Sequence, residues 1–475
     1  MNVIMIVSDT YRRDHLGAYG NPWIRTPNLD RLAAGSYVFE NAWTGNFPTL
    51  PNRYDVMTGR FGCIEYDWSP LPRHVPVLAQ VLSAAGYVTM MVNDTPHILQ
   101  NGSFFDRGFC GFDWVRGQEN DRYVTQPRKV EFPCDPRKMR DPDPLVVQYL
   151  RNVSRRRKEE DYFPAQTMTR AAQWLEENRG ERFFLYVDTF DPHEPWDPPR
   201  WYVDLYDPGY QGDEVIYPRY GPADYLTKAE LRHARALYAG ECTLVDTWVG
   251  YLLRRVEELG LLDNTAIIFT TDHGYYIGEH NLTGKSLIWP GGHAYCPLYT
   301  EVARIPLFIR LPGQSRQRRV GQPVQPADLA PTIYELLGVA PPDTVQGQSL
   351  VPLMEGRAFR PRPVTITTPS LAHDPNGGIP STIVMGSWAL VYYGSPDAPL
   401  ASHLTAAVDH VERPAIVPTK AVPTPELYNL RDDPGMTRNL FRGNREVADK
   451  IHRAHVKLLE RLGMAEEYLQ HRRRL

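Results

Sequence analysis

The sequence predicts an α/β fold, with a mostly parallel central sheet, helices on both faces, and a small C-terminal antiparallel subdomain. Three observations carry this reading. Runs that are apolar at nearly every position, at 2–7, 183–188 and 265–270, read as strands buried on both faces, as a parallel sheet demands. Stretches of helical period lie between them. From about residue 363 the strands shorten and follow one another closely, which suggests an antiparallel group.

Taken in order, strand 2–7 comes first. Thr26-Pro27 then opens a helix through Leu29, Leu32 and Ala33, because proline suits the first helical position. A second helix is expected to start near Pro51 and to stop before Gly59. Val77, Leu78, Val81 and Leu82 mark a helix over 75–85, which Gly86 breaks before a strand at 87–92. Residues 95–160 form a long excursion of little periodicity, and its run Arg155-Arg156-Arg157-Lys158 reads as a solvated surface. Helix 165–178 feeds strand 183–188, and a loop rich in Pro, Tyr and Asp covers 191–226. A long amphipathic helix spans 228–258, with Leu237, Val245, Val249, Leu252 and Val256 on one face. Strands at 265–270 and 305–310 and a helix at 327–337 complete the larger unit. Strands at 363–367, 382–386 and 388–393 and a terminal helix make the smaller one. The expected division is 1–360 and 361–475.

Composition narrows the function. The 475 residues carry 52 Lys and Arg against 56 Asp and Glu, a net charge of −4, so the basic excess of a general nucleic-acid binder is missing. No apolar run approaches the roughly 20 residues of a membrane span. The apolar start lacks the basic leader of a secretory signal, and Cys63, Cys110, Cys134, Cys242 and Cys296 form no disulfide framework. The expectation is a cytoplasmic protein acting on a small molecule, with neither nucleic acid nor membrane as partner. A homo-oligomer stays open.

In parallel sheets ligands bind beyond the carboxyl ends of the strands. Asp9 follows the first strand; Asn93 and Asp94 follow the second; Asp188 to His193 follow the third; Asp272-His273 follow the fourth. Carboxylates and an imidazole meeting at one sheet edge make a divalent-metal site, although any one of these acids could simply cap a turn. The second signal is Pro48-Thr49-Leu50-Pro51-Asn52-Arg53, a hydroxyl residue at a helix start. There the backbone N–H groups and the positive dipole end face an anion. An ordinary N-cap would look the same.

Together these residues resemble the sulfatase branch of the alkaline phosphatase superfamily. The resemblance runs through Asn2 to Thr10, Asp14-His15-Leu16-Gly17, Thr26-Pro27-Asn28 and Thr58-Gly59-Arg60. It continues through Asp191-Pro192-His193-Glu194-Pro195, Thr271-Asp272-His273-Gly274, Gly278-Glu279-His280 and Gly284-Lys285. It reaches the tail at Glu426-Leu427-Tyr428-Asn429-Leu430. It implies an alkaline phosphatase-like fold, with a catalytic domain and a C-terminal subdomain.

The departures from the family matter as much. Sulfatases convert Cys or Ser of a C/S-x-P-S-R signature to formylglycine, and this sequence reads Thr49-Leu50-Pro51-Asn52-Arg53. Threonine cannot give that aldehyde, because its β-carbon bears a methyl group. Cys134-Asp135-Pro136-Arg137-Lys138 is the nearest substitute and lacks the final arginine. Threonine nucleophiles occur in superfamily members that act on phosphorus, such as nucleotide pyrophosphatase/phosphodiesterases and phosphonoacetate hydrolase, so the resemblance implies a hydrolase of phosphodiesters or phosphonate monoesters. Phosphonate monoester hydrolases resemble the chain in their single aspartate and Asp-His pair but use formylglycine as nucleophile. The Gly-Lys-x-His stretch that grips sulfate is replaced by Asn93-Asp94-Thr95-Pro96-His97, and Thr10 replaces a common second aspartate.

The implied roles are these. Thr49 attacks; Asp9, Asp272, His273 and the Thr49 oxygen hold one divalent ion, Mn, Zn, Mg or Ca. Arg53 and Lys285 stabilise developing charge, and His193 protonates the leaving oxygen. Asn93, Thr95, His97 and His280 bind substrate. The spacing of Asp188, Asp191 and His193 does not fit a second metal. A sulfatase, a phosphoryl transferase and a non-catalytic relative remain alternatives.

Overall fold

The computed structural model describes residues 1–127, 129–290, 292–372, 376–400 and 414–475. Its main sheet has eight strands: β1 (Asn2–Ser8), β2 (Tyr37–Ala42), β3 (Val88–Asn93), β4 (Gly111–Trp114), β5 (Phe183–Thr189), β6 (Thr265–Thr270), β7 (Leu307–Arg310) and β8 (Arg318–Val324). They lie in the order β8-β2-β7-β6-β1-β5-β3-β4. Every pairing is parallel except the two made by β7.

The unbroken apolar run of β1 has a direct cause. Ile4 and Ile6 enter one core, with the helices Phe163–Asn178 and Lys228–Glu258, while Val3, Met5 and Val7 enter the other, with Thr49–Thr58 and Leu329–Leu337. A strand between two helical layers has no polar side to show. The 31-residue helix Lys228–Glu258 starts at a capping box: Thr227 accepts from the Glu230 N–H at 3.2 Å and donates its own N–H to Glu230 at 2.8 Å.

The strands at Glu426–Asn429, Trp388–Tyr392, Ser381–Met385 and Thr365–Pro369 form an antiparallel group, and the helix Arg445–Leu462 packs on it through Ile451 and Leu458. A fifth strand, Asn46–Phe47, joins it in parallel beside Thr368-Pro369. The chain therefore passes from the second sheet straight into the helix that begins at Thr49.

Several expected elements shift. The helix expected near Pro51 begins at Thr49. Strands β2, β4 and β8 were not expected: β2 carries Glu40 and Asn41, β8 opens on two exposed arginines and carries Gly321, Gln322 and Pro323 between its two valines, and β4 is a short edge strand. The terminal helix stops at Leu462, where Gly463 takes a left-handed conformation. In the basic run, Arg155, Arg157 and Lys158 are exposed, but Arg156 turns inward to Asp197 at 2.9 Å.

Candidate metal centre and active-site cavity

Strands β6, β1 and β5 are neighbours in parallel register, with Val7 opposite both Thr270 and Asp188. Their carboxyl ends therefore deliver Asp272-His273, Asp9 and Asp188 to one place. Ligand atoms of Asp9, Asp272 and His273 all lie within 4.8 Å of one another, and all three residues are fully buried. Thr10 follows β1 with φ of +61°, and this turn aims its N–H at Asp272 Oδ1, 2.9 Å away. Its hydroxyl donates to Asp9 Oδ1 at 2.7 Å.

The donor set suits a cation. The His273 Nδ1 lies 3.0 Å from the Gly274 carbonyl oxygen, which fixes the proton there and leaves Nε2 bare. Burial pulls the His273 imidazole down to about 3, so the ring is neutral, as a ligand must be. His273 Nε2 is a buried atom without a hydrogen bond, and Asp9 Oδ2 has an ion pair with Arg53 at 3.1 Å but no hydrogen bond. Burial and the charge of Asp272 push the Asp9 carboxyl well above its ordinary range. A divalent ion among these atoms would give His273 Nε2 a partner and relieve that repulsion.

Arg53 lies under the cluster, fully buried. Its guanidinium reaches Asp188 at 2.9 and 3.1 Å and Asp9 at 3.1 Å, and it also bonds Asp272. These charges outweigh the cost of burial and keep the guanidinium ionised. Asp188 is in turn held by the Tyr186 hydroxyl at 2.6 Å and the Thr95 hydroxyl at 2.7 Å. Arg53 thus positions carboxylates, a different task from the transition-state contact expected of it.

Thr49 is the first residue of its helix. That helix is tied to the cluster through Arg53 and through Asn52, which donates to the Asp272 carbonyl at 3.1 Å. Just upstream, the Phe47 ring lies 4.9 Å from the His273 ring. Thr49 opens into a cavity of about 640 Å³ that Lys285, His193, His97 and Tyr220 also line. Lys285 Nζ is 3.4 Å from the Thr10 hydroxyl oxygen, which places its charge beside the cluster of Asp9, Asp272 and His273. Its path depends on Gly284, where a Cβ would come within 2.5 Å of the Tyr220 ring.

His193 stacks on Phe190 with ring centroids 4.0 Å apart, and its Nδ1 lies 2.6 Å from the Glu194 carbonyl oxygen. That contact requires a proton on Nδ1. Burial and then Lys285 hold the ring well below its ordinary pKa, so it is neutral, with Nε2 as an acceptor. The expected proton donor is, at rest, a proton acceptor.

The four expected substrate contacts divide. His97 lines the cavity, and its Nε2 is 3.0 Å from Glu119 Oε2. Asn93 and Thr95 are buried behind it; Asn93 donates to the Thr95 carbonyl at 3.1 Å and Thr95 to Asp188. His280 is not among the cavity residues: its ring stacks on Tyr299 at 3.9 Å and its Nε2 meets Glu301 at 3.4 Å. Arg60 of the Thr-Gly-Arg triplet likewise serves structure, pairing with Glu65 at 2.5 Å, while Gly59 ends the helix at φ of +67°. Cys134 does not line the cavity.

Other cavity residues, Trp68, Glu119, Arg140 and Tyr220, carried no motif in the sequence. The excursion 95–160 supplies much of one wall through His97, Glu119, Arg140 and Leu145, and the loop 191–226 adds His193 and Tyr220. No helix among the described residues is long and apolar enough to cross a membrane.

Comparison with known proteins fits this geometry. The sulfatase family model matches residues 1–339. An arylsulfatase of Clostridium perfringens is 28% identical over 400 residues, 75% of this chain and 79% of that protein. Multifunctional alkaline phosphatase superfamily protein PehA of Trinickia caryophylli is 27% identical over 420 residues, 75% of this chain and 77% of that one. The phosphonate monoester hydrolase of Agrobacterium radiobacter shares the fold at a TM-score of 0.72 and 20% identity, over 98% of this chain and 96% of its own.

Proposed function

This chain belongs to the sulfatase family, and on that premise we propose that it is a metal-dependent hydrolase of phosphodiesters or phosphonate monoesters with Thr49 as nucleophile. One observation carries the reading: an unconverted threonine begins the helix that is fastened to the carboxylate cluster, and it faces the cavity. Asp9, Asp272 and His273 would hold the ion, with the Thr49 oxygen as a further ligand. A bound divalent cation supplies a lowered hydroxyl pKa and charge balance on the transferring group.

The residues of the chain do the rest. The Thr49 Oγ forms a bond to phosphorus while the bond to the leaving oxygen breaks. His193 Nε2 takes the hydroxyl proton and, once charged, returns it to the leaving oxygen. Its depressed pKa makes the charged form a strong acid. Lys285 stabilises the negative oxygens of the transferring group. Water then attacks phosphorus, breaks its bond to Thr49 and restores the hydroxyl.

Sulfuric ester hydrolysis is the second reading, favoured by the likeness to a protein named arylsulfatase. The discriminating experiment uses purified, Mn²⁺-loaded protein. It compares p-nitrophenyl sulfate, bis-p-nitrophenyl phosphate and p-nitrophenyl phenylphosphonate, with Thr49→Ala alongside. Cleavage of diester or phosphonate that disappears in the variant supports the proposal. Sulfate cleavage alone, or full turnover by Thr49→Ala, overturns it.

A further inference from the structure

Beyond the reacting centre the same cavity holds a second, partly buried cation. We propose that Arg140 forms an oxyanion subsite, so that the substrate carries a second negatively charged group, such as a carboxylate, besides the ester that is cleaved. The inference rests on reading this cavity as the substrate site.

The guanidinium of Arg140 lies over the rings of Tyr220 and Tyr217, at 4.6 and 5.4 Å from their centroids. Cation–π contact with two rings restrains its position. Its buried Nε makes no hydrogen bond and only a long ion pair, 3.4 Å from Oδ2 of the half-exposed Asp141, and its two Nη groups have no hydrogen-bond partner among the described residues. The carboxylates within reach of its charge are engaged elsewhere. Glu119 receives the Tyr217 hydroxyl at 2.5 Å and sits 3.0 Å from His97. Glu194 receives the Tyr220 hydroxyl and lies 3.2 Å from His193. Arg140 therefore offers donors that no described side chain takes up, while 22% of its side-chain surface stays accessible and it lines the cavity.

A guanidinium whose Nη donors face a cavity and have no protein partner can exchange their water for an anion. Its flat fork matches the two oxygens of a carboxylate or of a phosphate or sulfate group. Lys285 is not a substitute, because its ammonium is 3.4 Å from the Thr10 hydroxyl and serves the metal cluster. The charges of both cations act on Glu194, so both lie near it. One cation meets the reacting group and the other meets a separate anion on the same molecule.

The test keeps the leaving group constant. p-Nitrophenyl phenylphosphonate is compared with analogues bearing a carboxylate at the 3- or 4-position of the phenyl ring, and with one bearing it on the leaving aryl group. At least one placement should raise kcat/KM by about 10- to 100-fold through KM, the scale of a charge-assisted hydrogen-bonded pair. Arg140→Gln should abolish that gain, and Arg140→Lys should keep part of it. Calorimetric binding of carboxyphenylphosphonates against phenylphosphonate, to the Mn²⁺-loaded wild type and Arg140→Gln, reads the subsite even if no ester turns over. A carboxylate preference in binding without turnover would count against the hydrolase reading alone. No preference in either measurement, or a preference that survives in Arg140→Gln, overturns the subsite.

Discussion

Replacing Arg53 by methionine tests the electrostatic logic of the centre. The guanidinium is fully buried and is shared by Asp9, Asp188 and Asp272, at 3.1 Å from the first and 2.9 Å from the second. Methionine fills much of the volume but takes away the guanidinium that three buried carboxylates share, leaving Lys285 as a more distant positive charge beside Asp9 and Asp272. Breaking a buried ion pair by removing one partner costs about 3–5 kcal/mol. At about 2.1 cal/mol/K per residue, a chain of 475 residues has an unfolding entropy near 1 kcal/mol/K, so Tm should fall by about 4 °C in chelator. A divalent ion bound by Asp9, Asp272 and His273 puts positive charge back beside the same carboxylates. Saturating Mn²⁺ should therefore raise Tm more in Arg53→Met than in the wild type, and calorimetry with and without EDTA reads both numbers. A variant as stable as the wild type in EDTA, or an equal rise with Mn²⁺ in both proteins, would refute this account of the site.

Three further outcomes are expected. Mn²⁺ at about one hundred times its Kd should stabilise the metal-free wild type by about 2.7 kcal/mol, and Asp272→Asn should lose most of that gain; equal Mn²⁺-induced shifts would rule Asp272 out as a ligand. Lys285→Met should lower kcat by about 100- to 1,000-fold, the usual result of removing one charge-stabilising donor, and a loss below about threefold would exclude that role. The third concerns Asp246, which accepts the Leu29 N–H at 2.7 Å and whose carboxyl is pushed up to about 6, first by burial. The folded state keeps that proton from about pH 4 to 6 while the unfolded chain releases it, so the wild type loses stability as pH rises through this window. Relative to Asp246→Asn, the loss should reach about 3 kcal/mol by pH 7, and parallel denaturation curves would disprove it.

The strands that place the centre were legible because burial on both faces forces an unbroken apolar run, as at 2–7, 183–188 and 265–270. The rule that ligands gather at the carboxyl ends of parallel strands then pointed to Asp9 and Asp272-His273 without coordinates. Asp188 was legible as a strand-end acid, yet its role was not. Its bond to Arg53 spans 135 residues, and spacing carries no trace of it. The same reason hid β2 and β8, whose polar positions obey pairings made far along the chain. His280 shows the converse error. It sits in a family-like Gly-Glu-His triplet, but a left-handed turn at φ of +54° sends its ring to Tyr299 instead of the cavity. A motif fixes backbone order, whereas the direction of a side chain depends on which neighbour packs against it. Arg140 belongs to this second kind of information: nothing within 95–160 marks it, and only the two tyrosine rings beneath it make its unused donors meaningful. The strand-end residues were therefore legible from pattern, while the excursion that supplies much of one cavity wall is aperiodic, where sequence patterns say least.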